Sequence, residues 1–194
     1  IPYKKVLNVH DACSTRYEKK IHDSIRKIVT SLGYDIEELK YSKEKTKCCG
    51  YGGLVDYANR QQAEDFVEDR KKESEYDMLV YCAMCKDLFV RGGKRAYHIL
   101  DLIFSKDLDN VALRKIPTLS ERHYNRAQVK IKLLKEIWGE EMTSKENYDF
   151  NLLIPQNVMA SMEKNFVLME DVKRVVDNSR KTKERFFNPS NSNY

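Results

Sequence analysis

"YDMLVYCAMC", Tyr76–Cys85, is the stretch on which the fold turns. Its first half is short and apolar with charge before it, the pattern of a strand buried inside a sheet. It ends on Cys82, and Cys85 follows after two residues. A buried strand that delivers thiols at its carboxyl end suits a parallel sheet, because function collects at that edge.

The same arrangement recurs upstream. "KKVLNV" (residues 4–9) reads as a first strand, and "HDAC" carries the chain from it to Cys13. "DIEELKYS" (35–42) reads as a second strand, ahead of the loop "CCGYGG" (48–53). The segments between are helical. Ile21, Ile25, Ile28, Val29 and Leu32 recur at helical spacing, with Ser14 or Thr15 to cap the start and Gly33 at the end. Leu54, Ala58, Phe66 and Val67 lie toward one side of a second helix. "AMCKDLFVRGGKRAYHILDLIF" reads as helix interrupted at Gly92–Gly93. Alternating strands and helices predict right-handed crossovers and a small parallel sheet with flanking helices, an α/β fold over residues 1–105.

From about Ser105 the character changes, and residues 106–194 read as a mainly helical extension without cysteine. "SKDLDNVALRKIP" is a connection. A long amphipathic helix then aligns Val129, Leu133 and Ile137, with Trp138 beside them, as a core or partner-docking face. "MTSKENYDFN" reads as loop, Pro155 opens a short helix, and "EDVKRVVDNSRKTKER" forms another. The chain opens in a strand-like run and stops without a closing element, so a truncated piece of a longer protein is expected.

Composition narrows the function. Hydrophobic residues make up 41% and charged residues 34%, the profile of a soluble domain. No apolar run approaches the ~20 residues of a membrane span. The net charge of +5 is spread, with 19 basic and 16 acidic side chains in residues 1–100. It forms no stripe of the kind that binds nucleic acid. All five cysteines lie in the first 85 residues, and no secretion signal precedes them. An odd, clustered set argues for metal or redox use in a reducing, cytoplasmic setting.

The spacing is Cys-x34-Cys-Cys-x32-Cys-x2-Cys. Cys-x2-Cys is a common bite for a tetrahedral metal, but one zinc takes four ligands and leaves a fifth thiol idle. A multi-iron cluster can use five, and neighbouring Cys48 and Cys49 can then reach different irons. Glycines at 50, 52 and 53 let backbone approach and offer N–H donors. A bare dithiol–disulfide site at Cys82–Cys85, or thiols that are simply buried, are the other readings. His10 is a candidate hydrogen-bond donor or proton relay behind the ligands, or a strand-end histidine bonded to a loop. Arg16 is a candidate source of positive charge, or a surface arginine.

"HDAC…CCGYGG…YCAMC" resembles the cysteine-rich CCG domain of the B subunit of heterodisulfide reductase, over roughly residues 5–105. Related copies occur in a succinate dehydrogenase subunit and in the iron–sulfur subunit of glycolate oxidase. The resemblance implies a non-cubane 4Fe-4S cluster held by Cys13, Cys48, Cys49, Cys82 and Cys85, with electron transfer or disulfide cleavage as its work. Some motifs of the family bind zinc instead. Ala12 stands where the family usually has proline, the gap before Cys82 is slightly short, and only one of the usual two motifs is present. The helical tail resembles, more weakly, that of multidomain pyridine nucleotide-disulfide oxidoreductases with iron–sulfur modules. The implied partners are other subunits or domains of such a complex, flavin- or ferredoxin-containing.

Overall fold

Four parallel strands, β1 (Val6–His10), β2 (Asp35–Glu37), β3 (Asp77–Val80) and β4 (Ala96–His98), form a sheet in the order β2-β1-β3-β4. This is a computed structural model that describes residues 5–141 and 148–184. The loop read at 142–147 and the tail at 185–194 lie outside the described residues. Two compact units divide the chain, Ile1–Ile116 and Pro117–Tyr194.

In the first unit α1 (Lys19–Ser31) follows β1, and α2 (Val55–Ala58) and α3 (Arg60–Lys71) lie between β2 and β3. Helix α4 (Ala83–Arg91) links β3 to β4, and α5 (Ile99–Phe104) and α6 (Leu108–Ala112) come after. Successive strand side chains point to opposite faces. Leu7, Val9, Leu79 and Tyr97 therefore pack with Ile25 and Val29 of α1 and with Ile99, Leu102 and Ala112. Met78, Val80 and Ala96 pack on the other face with Val67 of α3 and Leu88 and Phe89 of α4. Helices cover both faces, the expected α/β arrangement.

Local details depart from the sequence reading. Residues 96–98, read as helix, are β4, paired with Met78–Val80. Three residues are too few to show a period, and their conformation follows from the neighbouring strand. The connection after Ser105 contains α6, started by Asp107, whose carboxylate accepts from the Asn110 amide. Neither Ser14 nor Thr15 caps α1; Cys13–Thr15 form a separate 3₁₀ turn. The inward face of α1 is His22, Ile25 and Val29, whereas Ile21, Ile28 and Leu32 sit at its margins. The helix read after Gly53 is broken at Asn59, which caps α3 by accepting from the Gln62 amide. Leu54 thus belongs to a different turn and is exposed, and Ala63, Val67 and Arg70 form the buried face of α3.

The second unit consists of α7 (Leu119–Leu133), α8 (Gln156–Lys164) and α9 (Met169–Thr182) with their connections. Thr118 and Glu121 form a reciprocal capping box at the start of α7. The helix runs on through a π-type turn, Leu134–Trp138, to Gly139 at φ +68°. None of these helices has a buried residue, and Val129, Leu133, Ile137 and Trp138 are exposed. Among the described residues no helix is long and apolar enough to cross a membrane.

Deleting buried side-chain volume in the sheet leaves a cavity that neighbours only partly fill. Leu79→Ala is expected to cost about 2–5 kcal/mol in urea unfolding. Val129→Ala should stay within about 0.5 kcal/mol, because that side chain is exposed.

Candidate metal centre

The order β2-β1-β3-β4 places β1 and β3 side by side, with the chain passing outward to β2 on one side and β4 on the other. Such a reversal opens a crevice at the carboxyl ends of the two central strands. Cys13 follows β1 by three residues, and Cys82 follows β3 by two and stands at the N-cap of α4. Cys85 lies in the first turn of α4, and Cys48 and Cys49 come from the loop after β2.

One carboxylate joins these three segments. Asp11 is fully buried, and its oxygens accept from Arg26 Nη1 and Nη2 at 3.0 and 2.9 Å. They also accept from the Lys43 amide at 2.7 Å and from the Tyr81 hydroxyl at 3.1 Å. The Asp11 carbonyl accepts from Thr46 Oγ1 at 2.8 Å. Asp11 precedes Cys13, Thr46 precedes Cys48 and Tyr81 precedes Cys82, so a single residue sets the mutual placement of the loops that carry the thiols. Burial pushes the Asp11 carboxyl up, but the Arg26 guanidinium and the Lys43 amide outweigh it and hold the group below the ordinary value. Burial, together with the charge of Asp11, pushes the Tyr81 phenol up to about 12.

All five cysteines are free thiols. The sulfurs of Cys49 and Cys85 lie within 4.8 Å of each other, and electrostatic interaction links Cys48 to Cys49 and Cys82 to Cys85. Cys13 joins through Gly52: a Cβ built on Gly52 would stand 3.4 Å from Cys48 Sγ and 3.8 Å from Cys13 Sγ. The five thus lie along one edge of the sheet, and among the described residues Cys49, Cys85 and His10 form the group at mutual ligand distance. Exposure grades across the set, from exposed Cys13 to buried Cys49 and Cys85. Bonds from Cys48 and Cys85 hold the Cys49 thiol well below its usual range, and those same bonds raise Cys48 and Cys85. The bond from Cys85 lowers Cys82 to about 6.

The remaining sequence candidates sit around this group. Gly50 has φ +96° and donates its amide to Cys48 Sγ at 3.3 Å. A Cβ there would come within 2.6 Å of the Ala63 carbonyl oxygen. Arg16 donates to the Glu44 and Thr46 carbonyls at 3.2 and 2.7 Å, tying the Cys13 turn to the Cys48 loop. His10 is buried, its ring edge-on to Phe89 at 4.9 Å. His10, Cys49 and Cys85 bring ligand-type atoms within 4.8 Å of one another. Burial and the charge of Arg70 lower the His10 pKa against the raising effect of Cys49. The roles of Asp11 as clamp, of Tyr81 and of Arg70 are not legible in the sequence. Arg70 lies in a run of charges, "EDRKKE", where nothing marks it as the buried member.

Substitution and alkylation test this arrangement. Gly50→Ala should lower the unfolding temperature sharply, because backbone blocks the new methyl and φ is left-handed. Gly33→Ala, also at positive φ but in open space, should cost only about 1 kcal/mol of strain. Asp11→Asn should destabilise by about 3 kcal/mol near neutral pH, since it leaves Arg26 short of a buried partner. The native carboxyl is depressed, so its contribution is complete above the ordinary value of 3.8 and fades as pH falls through the folded value. Wild type and variant should therefore converge in acid unfolding. In metal-free, reduced protein, alkylation of Cys82 followed by peptide mass spectrometry should rise with a midpoint near pH 6.

Comparison with known proteins agrees with the geometry. No curated protein and no solved structure gives a significant match to the chain. The family model for the CCG cysteine-rich domain matches residues 7–87. That segment runs from β1 into α4 and contains every thiol of the site. Its gathered cysteine and histidine side chains fit a metal-binding module, and over residues 7–87 the chain matches the CCG cysteine-rich domain.

Proposed function

We propose that residues 7–87 hold a non-cubane 4Fe-4S cluster through Cys13, Cys48, Cys49, Cys82 and Cys85. The domain then acts as the electron-transfer module of a heterodisulfide reductase-like oxidoreductase, with disulfide or thiol compounds as substrates. The observation that supports this is the convergence of five soft donors on one sheet edge, with glycine at the position where a side chain would enter among the sulfurs. Iron–sulfur assemblies are held by thiolates and tuned by hydrogen bonds to sulfur and by exposure.

Such a cluster, when bound, supplies one-electron chemistry and an iron that a substrate sulfur can approach. The chain's own residues do the rest. Cys49 and Cys85 sit in the core and exclude water from the inner side. The Gly50 amide donates to Cys48 and stabilises negative charge on that sulfur. Exposed Cys13 and half-buried Cys48 make the outer edge the side at which a partner or substrate meets the site. Arg16 and Asp11 keep the outer and inner thiol loops in register. Electron donors and acceptors would come from other subunits or domains of a complex, in the cytoplasm, where the free thiols stay reduced.

A structural zinc site is the second reading, favoured by one observation. Cys49 and Cys85 stand at mutual ligand distance and interact with Cys48 and Cys82, which makes four thiols, the number a tetrahedral zinc requires, and exposed Cys13 is then idle. Anaerobic purification with iron, zinc and acid-labile sulfide analysis separates the two. About four irons with matching sulfide per chain, and a brown absorption band, are expected for the cluster. One zinc without sulfide would sink the electron-transfer reading. Cys13→Ser sharpens the result: it should remove or convert a five-thiolate cluster and leave a four-thiolate zinc site intact.

A further inference from the structure

His10 stands beside two buried thiols, which makes it look like a third ligand. Its two ring nitrogens, however, face different chemistry. Nδ1 lies 3.2 Å from Arg70 Nε, which donates its N–H. A guanidinium has five donors and no acceptor, so Nδ1 must present its lone pair. A neutral imidazole carries one proton, and with Nδ1 bare that proton is on Nε2. Nε2 is buried with no hydrogen-bond partner among the described residues, and a ring nitrogen of His10 lies within 4.8 Å of the Cys49 and Cys85 sulfurs. With Nδ1 taken by Arg70, the nitrogen left for the sulfurs is the protonated one.

We infer that Arg70 is a positioning residue that locks His10 into the Nε2–H tautomer, making it a hydrogen-bond donor to the Cys49 sulfur and removing it from the metal-ligand set. The tautomer follows from the donor opposite it. The lock is rigid because every nitrogen of the Arg70 fork is engaged. Nη1 pairs with Glu73 at 2.7 Å and Nη2 donates to the Tyr41 carbonyl at 2.6 Å, with the side chain wholly out of water. Phe89 holds the imidazole plane edge-on from another side. Glu73 balances the charge, so the bond from Nε to a neutral imidazole is not required by charge pairing. Orientation of the ring is what it provides. A metal-ligating histidine shows the opposite pattern, with the distal nitrogen protonated and donating to a carboxylate or carbonyl.

The chemical consequence is on Cys49. An N–H donated to a thiolate draws electron density from sulfur and favours the more reduced state of whatever the sulfur binds. The effect on a cluster rests on the function proposed above, whereas the tautomer does not.

The deciding experiment is a long-range ¹H–¹⁵N correlation spectrum of the imidazoles in the full chain, recorded reduced and after loading with ¹¹³Cd²⁺. His10, assigned by comparison with His10→Gln, should show the Nε2–H pattern in both states and no coupling to cadmium. An Nδ1–H pattern, or a ¹⁵N–¹¹³Cd coupling at Nε2, would overturn the inference. Arg70→Gln, which keeps a neutral donor, should retain the wild-type pattern; Arg70→Met should mix the tautomers. Should Arg70→Met fail to fold, the wild-type spectrum alone still decides. In iron-loaded protein Arg70→Met and His10→Gln should both shift the midpoint potential, Arg70→Met toward more negative values. An unchanged potential in both would overturn the tuning role. Protein that never takes up iron overturns the cluster reading instead, and the tautomer is read without iron.

Discussion

A buried carboxylate that must find several donors at once is the constraint on which the site depends. Asp11 accepts from a guanidinium, a backbone amide and a phenol, each from a different part of the chain. An ionised carboxylate without such partners is too costly to bury, so the folded state forms only when all three segments arrive together. Asp11 itself leads into Cys13, and the segments of Lys43 and Tyr81 lead into Cys48 and Cys82. The electrostatic requirement of one residue thereby becomes the geometric specification of five sulfurs that are far apart in sequence. Thr15, whose hydroxyl contacts both the Ala12 carbonyl and Tyr81, and Arg16, which reaches the Glu44 and Thr46 carbonyls, extend the same clamp toward the surface.

The parallel sheet supplies the other half of the arrangement. Its two central strands end together, and the crevice between their continuations is lined by backbone that has stopped pairing. Glycine is needed there for two separate reasons. At 50 the chain passes against the Ala63 backbone in a left-handed conformation; at 52 any side chain would stand among sulfurs. The thiols interact across this interior, with Cys49 and Cys82 shifted toward the ionised form and Cys48 and Cys85 away from it. Arg70, a buried cation, stands behind this group with His10 between.

The second unit is organised by different physics. Two of its helices begin at caps, Thr118 with Glu121 on α7 and Asp171 accepting from the Leu168 amide on α9. The Glu163 carboxylate of α8 accepts the Leu119 amide at the start of α7. Cap and side-chain bonds carry this unit, and its amphipathic stripe through Val129, Leu133 and Ile137 remains in solvent.

The sequence by itself determined the α/β class, the three strands that precede cysteines, and the expectation that those cysteines meet. Each is a local property: a buried strand needs an apolar run, and thiols at strand ends of a parallel sheet share an edge by symmetry of direction. It also marked His10 and Gly50 as neighbours of the site. Only the tertiary structure decided that Ala96–His98 is a strand, since three residues take their conformation from Met78–Val80 beside them. Only it decided which charges are buried. Asp11 and Arg70 look like their exposed neighbours in a chain that is one-third charged, because burial depends on what packs against a residue and not on what precedes it. The state of His10 is likewise a tertiary fact: a ring nitrogen takes its role from the group opposite it, and that group, Arg70, is sixty residues away.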